Sequence, residues 1–111
     1  MQNTFAILGG GMQGTCAAYD IAKFSPDAAI HIGDVNLSQA RASCERVNSL
    51  VGREVCRPYT VDAMNKEDLG HFLHSADVVV SCVPYWMHPH IAKVAIETIT
   101  DMVDLGGNTD V

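Results

Sequence analysis

The chain is poor in basic side chains. Its 111 residues carry seven Lys and Arg against thirteen Asp and Glu, a formal charge of −6, and the basic residues are scattered along the sequence. Nucleic-acid-binding proteins concentrate positive charge in a patch or stripe. The composition therefore predicts no nucleic-acid partner.

Long apolar runs are also missing. No stretch approaches the ~20 residues that span a membrane, and the amino terminus lacks the basic start and extended apolar core of a secretory signal. We expect a cytoplasmic protein without membrane contact. A chain of 111 residues is long enough for one domain, 1–111, with a core of its own.

The four cysteines form no C-x-x-C pair. Cys16, Cys44, Cys56 and Cys82 fall on separate predicted elements, unlike the ligands of a zinc site or the thiols of a redox pair. We expect reduced, mostly buried thiols. Closely spaced histidines could in principle ligate a metal, but structural roles are favoured for them, and no metal site is predicted.

Apolar runs alternate with helical patterns along the chain. This alternation predicts parallel strands joined by right-handed helical crossovers. The fold class is therefore α/β, a Rossmann-type doubly wound parallel sheet with strand order 3-2-1-4-5. The predicted strands are 4–8, 29–33, 54–60, 77–82 and 102–105, and the predicted helices are 12–24, 38–51, 66–73 and 89–100. Gly52 is expected to cap the second helix and Asn65 to begin the third.

The most informative motif follows the first predicted strand. Gly9-Gly10-Gly11-Met12-Gln13-Gly14 fits the G-x-G-x-x-G turn through which dinucleotide-binding folds pass from strand to helix. Gly9 permits the tight turn, Gly11 lets the backbone approach a pyrophosphate, and Gly14 lets the helix pack on the strand. The first N–H groups of that helix bind a phosphate without needing a basic side chain.

Asp34 ends the second apolar run, about twenty residues after the glycine motif, as the fingerprint requires. A carboxylate at this place accepts hydrogen bonds from the adenosine ribose hydroxyls of NAD and repels the 2′-phosphate of NADP. Neither Val35 nor Asn36 supplies a compensating charge, although Arg41 could reach the site from the following helix. The sequence therefore predicts NAD as the cofactor, with NADP as the less favoured alternative.

Two further strand ends provide candidate cofactor contacts, because ligands of open parallel sheets lie beyond the carboxyl ends of the strands. Asp62 and Ala63 follow the third strand. Asp62 is predicted to accept from the adenine amine, and capping of its own loop is the alternative. Val83 and Pro84 follow the fourth strand, where proline would hold the loop extended between pyrophosphate and nicotinamide.

Aromatic and glycine residues come next at this edge. Tyr85 and Trp86 are expected to wall the nicotinamide or contact another domain, with packing against the fourth helix as an equal alternative. Gly106, Gly107 and Asn108 suit close approach of backbone to ligand, or form a plain turn. No side chains have the pattern of an activated nucleophile. Hydride transfer by the cofactor is the expected chemistry, and the catalytic residues stay unassigned.

Three segments resemble the cofactor domain of the saccharopine dehydrogenase family. They are Ile7-Leu8-Gly9-Gly10-Gly11-Met12-Gln13-Gly14, then Ala76-Asp77-Val78-Val79-Val80-Ser81-Cys82-Val83-Pro84, and Val103-Asp104-Leu105-Gly106-Gly107-Asn108. The last segment makes the combination more specific than the glycine motif alone. Within the family, the likeness is nearest to lysine 6-dehydrogenase and related amino-acid dehydrogenases.

The resemblance implies a cofactor-binding domain of an NAD- or NADP-dependent oxidoreductase acting on a C–N bond of an amino acid. It also implies a longer two-domain enzyme, in which a second α+β domain supplies most substrate contacts and the interface of a homo-oligomer, so the 111-residue chain alone is expected to be inactive. The matched positions that carry over as cofactor-binding residues are Gly9, Gly11, Met12, Gln13, Gly14, Asp34, Asp62, Ala63, Val83 and Pro84.

Two alternatives stay open at this point. One is an imine-reducing synthase of the carboxynorspermidine type, which shares this cofactor half. The other is a non-catalytic module in which NAD occupancy regulates assembly with a partner.

Overall fold

A computed structural model of the chain describes residues 3–104. Its strands are β1 (Thr4–Leu8), β2 (Ala29–Asp34), β3 (Cys56–Thr60), β4 (Val78–Ser81) and β5 (Asp101–Asp104). Its α-helices are α1 (Met12–Phe24), α2 (Leu37–Val51), α3 (Lys66–Leu73) and α4 (His88–Glu97), and a 3₁₀ turn, Tyr85–Met87, precedes α4. All strand pairs are parallel, and the order is β3-β2-β1-β4-β5. The predicted fold class is confirmed.

The central strand β1 separates two apolar clusters. Ile7 and Leu8 are adjacent on β1, so their side chains point to opposite faces of the sheet. The Ile7 face is covered by α1 and α2 and includes Ala18, Ile30, Ile32, Cys44 and Val47. The Leu8 face is covered by α3 and α4 and includes Leu69, Leu73, Val79, Ile91 and Val94. Burial on both faces explains why these strands are continuous apolar runs.

Two element boundaries differ from the predictions by two or three residues. The third strand begins at Cys56 and not at Glu54, because the Asn48 side chain accepts hydrogen bonds from the N–H groups of Val55 and Cys56 and shapes the approach to the strand. The fourth helix ends at Glu97 and not at residue 100. Its last turn is closed by the Thr98 hydroxyl, which donates to a helix carbonyl at 3.0 Å.

Smaller shifts affect the other elements. The second strand extends one residue further, to Asp34, and the fourth is shorter at both ends than predicted. Both predicted helix-end residues are confirmed. Gly52 adopts a left-handed conformation (φ +74°) with its N–H bonded to a helix carbonyl, and the Asn65 side chain accepts from the N–H of Asp68 at 3.0 Å.

The cysteines are mostly shielded from solvent, as predicted, and the exception is Cys16, which is exposed on α1. Cys44 and Cys56 are buried, Cys82 is half-buried, and all of these thiols are free. Among residues 3–104, no helix combines the length and the apolar character needed to cross a membrane.

Candidate functional site

A cleft of about 260 Å³ lies beyond the carboxyl ends of the inner strands. It brings together most of the predicted site residues, although they come from four separate segments of the chain. These residues are Gly9, Asp34, Asp62, Ala63, Val83 and Pro84. The remaining lining is largely apolar and consists of Leu8, Gly33, Val35, Val61 and Met87.

The glycine turn, residues 9–14, is packed against backbone on several sides. Gly9 has φ +101°, and a Cβ there would lie 3.0 Å from the carbonyl oxygen of Cys82. A Cβ on Gly14 would overlap the carbonyl oxygen of Gly9. A Cβ on Gly10 would lie 3.1 Å from the Cα of Ala40 in α2. Side chains at these positions would force α1, α2 or the loop that follows β4 away from the turn.

The amino end of α1 is open to a ligand. Gly11 is its N-cap residue, no side chain caps the helix, and its first turn contains no acidic residue. In contrast, asparagine side chains cap both α2 and α3. The first N–H groups of a helix have no partner within the helix and carry the positive end of its dipole. The end of α1 is therefore suited to an anion such as a phosphate.

The other residues of the turn lie on different surfaces. Gly11 and Met12 line a separate groove of about 590 Å³ between α1 and α2, together with Gln39 and Arg46. Gln13 is exposed on α1 and lines neither space, whereas Gly14 is buried beneath the helix.

Asp34 links the end of β2 to the glycine turn. Its Oδ2 accepts a hydrogen bond from the Gly10 N–H at 2.7 Å, and its Oδ1 accepts from the Asn36 N–H at 2.9 Å. Each carboxylate oxygen has a second acceptor position, so the side chain can hold these contacts and still accept from ligand hydroxyls. Arg41 is exposed and does not line the cleft, whose described lining contains no Lys or Arg.

Asp62 has a local hydrogen-bonding role as well as a position in the cleft. Its Oδ1 accepts from the Met64 N–H at 3.0 Å, so the carboxylate caps its own loop. Its backbone N–H donates to Oδ2 of Asp68 at 2.7 Å. The loop after β3 is therefore held by two carboxylates, and a contact to adenine stays a prediction.

Tyr85 and Trp86 do not line the cleft. Their exposed fractions are 62% and 61%, so both side chains are largely open to solvent. Met87, the next residue along the 3₁₀ turn, lines the cleft in their place. The predicted loop of Gly106, Gly107 and Asn108 lies outside the described residues.

Cys82 lies directly before the β4 loop but is not activated as a nucleophile. Burial raises the pKa of its thiol to about 11. A thiol with this pKa stays protonated near neutral pH, whereas nucleophilic attack requires the thiolate. Covalent catalysis is therefore not assigned to Cys82.

Sequence reasoning missed several residues of the cleft. Gly33, Val35 and Val61 could have been found, because they adjoin strand ends that already contained predicted site residues. Met87 could not, because its position depends on the 3₁₀ turn that redirects the chain after Pro84. Gly10 was assigned no contact, yet it bonds to Asp34 and packs on α2.

Comparison with known proteins identifies a family. The family model described as the saccharopine dehydrogenase NADP binding domain matches residues 5–111. A relative in Saccharomyces cerevisiae, saccharopine dehydrogenase [NADP(+), L-glutamate-forming], is 31% identical over 70 residues. The aligned part covers 63% of this chain and 16% of that relative. The chain therefore corresponds to only a small part of the length of this protein.

Solved structures share the fold. Apo saccharopine dehydrogenase (L-Glu forming) from Saccharomyces cerevisiae matches with a TM-score of 0.77 and 24% identity, over 96% of this chain and 22% of that one. Quinate dehydrogenase from Corynebacterium glutamicum, in complex with NAD, matches with a TM-score of 0.62 and 27% identity, over 74% of this chain and 27% of that one.

Proposed function

Because the chain belongs to the saccharopine dehydrogenase NADP-binding-domain family, we propose that it is the cofactor half of an oxidoreductase acting on a C–N bond of an amino acid. The chain itself is a pyridine-nucleotide-binding domain. One observation carries the proposal: the uncapped amino end of α1, the glycine turn and the Asp34 carboxylate lie together at one end of the sheet.

The described residues offer a dinucleotide the following contacts. The N–H groups at the start of α1 receive the pyrophosphate, and the Gly11 backbone allows it to approach because Gly11 has no side chain of its own. Asp34 accepts from the adenosine ribose, and Asp62 and Ala63 lie beside the adenine. Val83 and Pro84 border the path toward the nicotinamide. The chemistry that a bound nicotinamide supplies is hydride transfer.

We favour NAD over NADP on electrostatic grounds. The Asp34 carboxylate is fixed by two backbone N–H groups at the end of β2, and the described cleft lining offers no cation to balance a 2′-phosphate. NADP is a second candidate, favoured by the description of the family and by the name of the yeast relative. Arg41 is then the basic side chain that would have to turn toward the ribose.

The substrate and assembly are proposals for a longer protein. The yeast relative extends well beyond the length that this chain covers. In the protein we propose, a second domain binds the amino acid and forms a homo-oligomer, and residues 1–111 bind and orient the cofactor. Imine reduction, as in synthases of the carboxynorspermidine type, uses the same cofactor half in the opposite direction. An assay of the longer enzyme in both directions with lysine and related amines separates the two reactions.

A titration of Asp34→Ala tests the cofactor assignment. NADH binding should weaken by roughly 1–3 kcal/mol, because ribose hydroxyls lose their acceptor, and the NADH-to-NADPH affinity ratio should fall. The ratio is the decisive quantity, since loss of the Gly10 contact disturbs the glycine turn for both cofactors alike. Asp27→Ala, an exposed aspartate between α1 and β2, is the matched control. An unchanged ratio in Asp34→Ala would refute the selector role.

A further inference from the structure

Ser43 lies beneath the glycine turn and has no role in the sequence-based assignment. It is in the second turn of α2 and only 5% exposed. Its hydroxyl donates to the carbonyl oxygen of Gly10. A serine inside a helix ordinarily bonds to a carbonyl of its own helix or points to solvent. This hydroxyl instead bridges from α2 to the turn.

Thr15 extends the same contact to α1. Its Oγ1 lies 2.8 Å from the Ser43 Oγ and 2.8 Å from the Gly11 carbonyl oxygen. Because the Ser43 proton is committed to Gly10, the Ser43 oxygen is the acceptor in its contact with Thr15, whose single hydroxyl proton is shared between Ser43 Oγ and the Gly11 carbonyl oxygen. The two hydroxyls thus form a chain between helices α1 and α2 that ends on the glycine turn.

The hydrogen bond from Ser43 orients a specific peptide unit. In a planar trans peptide, the carbonyl of one residue and the N–H of the next point in opposite directions. Holding the Gly10 carbonyl toward α2 therefore directs the Gly11 N–H away from α2. On the preceding peptide, the Gly10 N–H donates to Asp34. Hydrogen bonds with residues of α2 and β2 therefore hold two consecutive peptide units in place. Without them, this glycine-rich segment would be conformationally free.

We propose that Ser43 is a positioning residue for dinucleotide binding: it holds the Gly10–Gly11 peptide so that the Gly11 N–H is presented to the pyrophosphate. The inference rests on the proposed function. In this role Ser43 acts through the backbone of the turn and not by its own contact with the dinucleotide. Thr15 supports it by donating to its oxygen.

Ser43→Ala is the direct test, with NADH and adenosine as paired probes. We expect NADH affinity to fall roughly fivefold to tenfold, as for the loss of one hydrogen bond. Adenosine affinity should be unchanged, because adenosine lacks the pyrophosphate. Ser49→Ala, on an exposed face of the same helix, is the matched control and should change neither affinity. Thr15→Val, similar in shape to threonine, should weaken NADH binding by less than fivefold and leave adenosine binding unchanged. It provides the test if Ser43→Ala fails to fold, and an unchanged NADH affinity would then contradict the role.

The possible outcomes separate the two proposals. If the unsubstituted chain binds NADH and Ser43→Ala binds it equally well, the positioning role is wrong and the dinucleotide site stands. Equal losses for NADH and adenosine would also overturn the role, because they would show a general structural effect. If the unsubstituted chain binds no dinucleotide, the proposed function itself fails.

Discussion

Two glycine-to-alanine substitutions test the close packing of α1 against the glycine turn, because they make the same chemical change in a crowded and in an open environment. Gly14 and Gly70 both lie within helices, α1 and α3. A Cβ on Gly14 would overlap the carbonyl oxygen of Gly9 and lie 3.5 Å from the Ile7 side chain, whereas a Cβ on Gly70 would meet nothing within 4 Å. The two substitutions should therefore change stability in opposite directions.

The magnitudes follow from the surroundings of each glycine. Overpacking costs about 1–3 kcal/mol, and Gly14→Ala should reach the top of this range because its obstacle is backbone. The higher helix propensity of alanine offsets about 1 kcal/mol of this cost. A net loss of about 2 kcal/mol lowers Tm by roughly 8–16 °C in a domain of this size. Gly70→Ala retains only the propensity gain and should raise Tm by about 4–8 °C.

Thermal unfolding followed by circular dichroism measures both effects, and NADH titration well below Tm adds a functional readout. Gly14→Ala should also weaken NADH binding, since α1 can retreat only by moving the glycine turn with it. Gly70→Ala should leave binding unchanged. If Gly14→Ala unfolds at or above the Tm of the unsubstituted chain and binds NADH normally, the close contact between α1 and the turn is wrong.

Three further substitutions test other parts of the fold. Gly9→Ala should destabilise by about 1–3 kcal/mol because of its positive φ, measured by urea unfolding; no loss would contradict the turn geometry. Leu73→Ala, at a fully buried side chain, should cost about 2–5 kcal/mol in the same assay, and a cost under 1 kcal/mol would contradict its core position. Burial, together with the positive charge of Arg57, lowers the pKa of His31 below its ordinary 6.5. Its contribution to stability is therefore complete above pH 6.5 and lost as the pH falls toward the lowered pKa, so His31→Gln should lose less stability than the unsubstituted chain between pH 7.5 and 5.5. Parallel pH curves would contradict this.

The fold follows from the sequence wherever local pattern and tertiary packing agree. Ile7 and Leu8 belong to a continuous apolar run because β1 is covered on both faces, and this pattern is visible without a structure. Gly52 and Asn65 cap helices through contacts within a few residues, so local sequence predicts them. The end of α4 was missed because Ile99 adopts φ +56°, which is uncommon for a β-branched residue.

The candidate site is less visible in the sequence because its contacts join distant segments. The glycine motif and Asp34 have known spacing and could be found. The bond between Asp34 and Gly10 spans 24 residues, and the contact from Ser43 to Gly10 spans 33. Neither has a local signal. Similarly, the exposure of Cys16 depends on which face of α1 meets α2.

The most direct test of the account is a calorimetric titration of the chain with NADH and, separately, NADPH at low ionic strength. We predict saturable binding at one site, with NADH bound more tightly because the Asp34 carboxylate opposes a 2′-phosphate. Tighter NADPH binding would contradict the cofactor preference and direct attention to Arg41. Failure to bind either nucleotide would contradict the claim that the glycine turn, the uncapped α1 and Asp34 form a dinucleotide site.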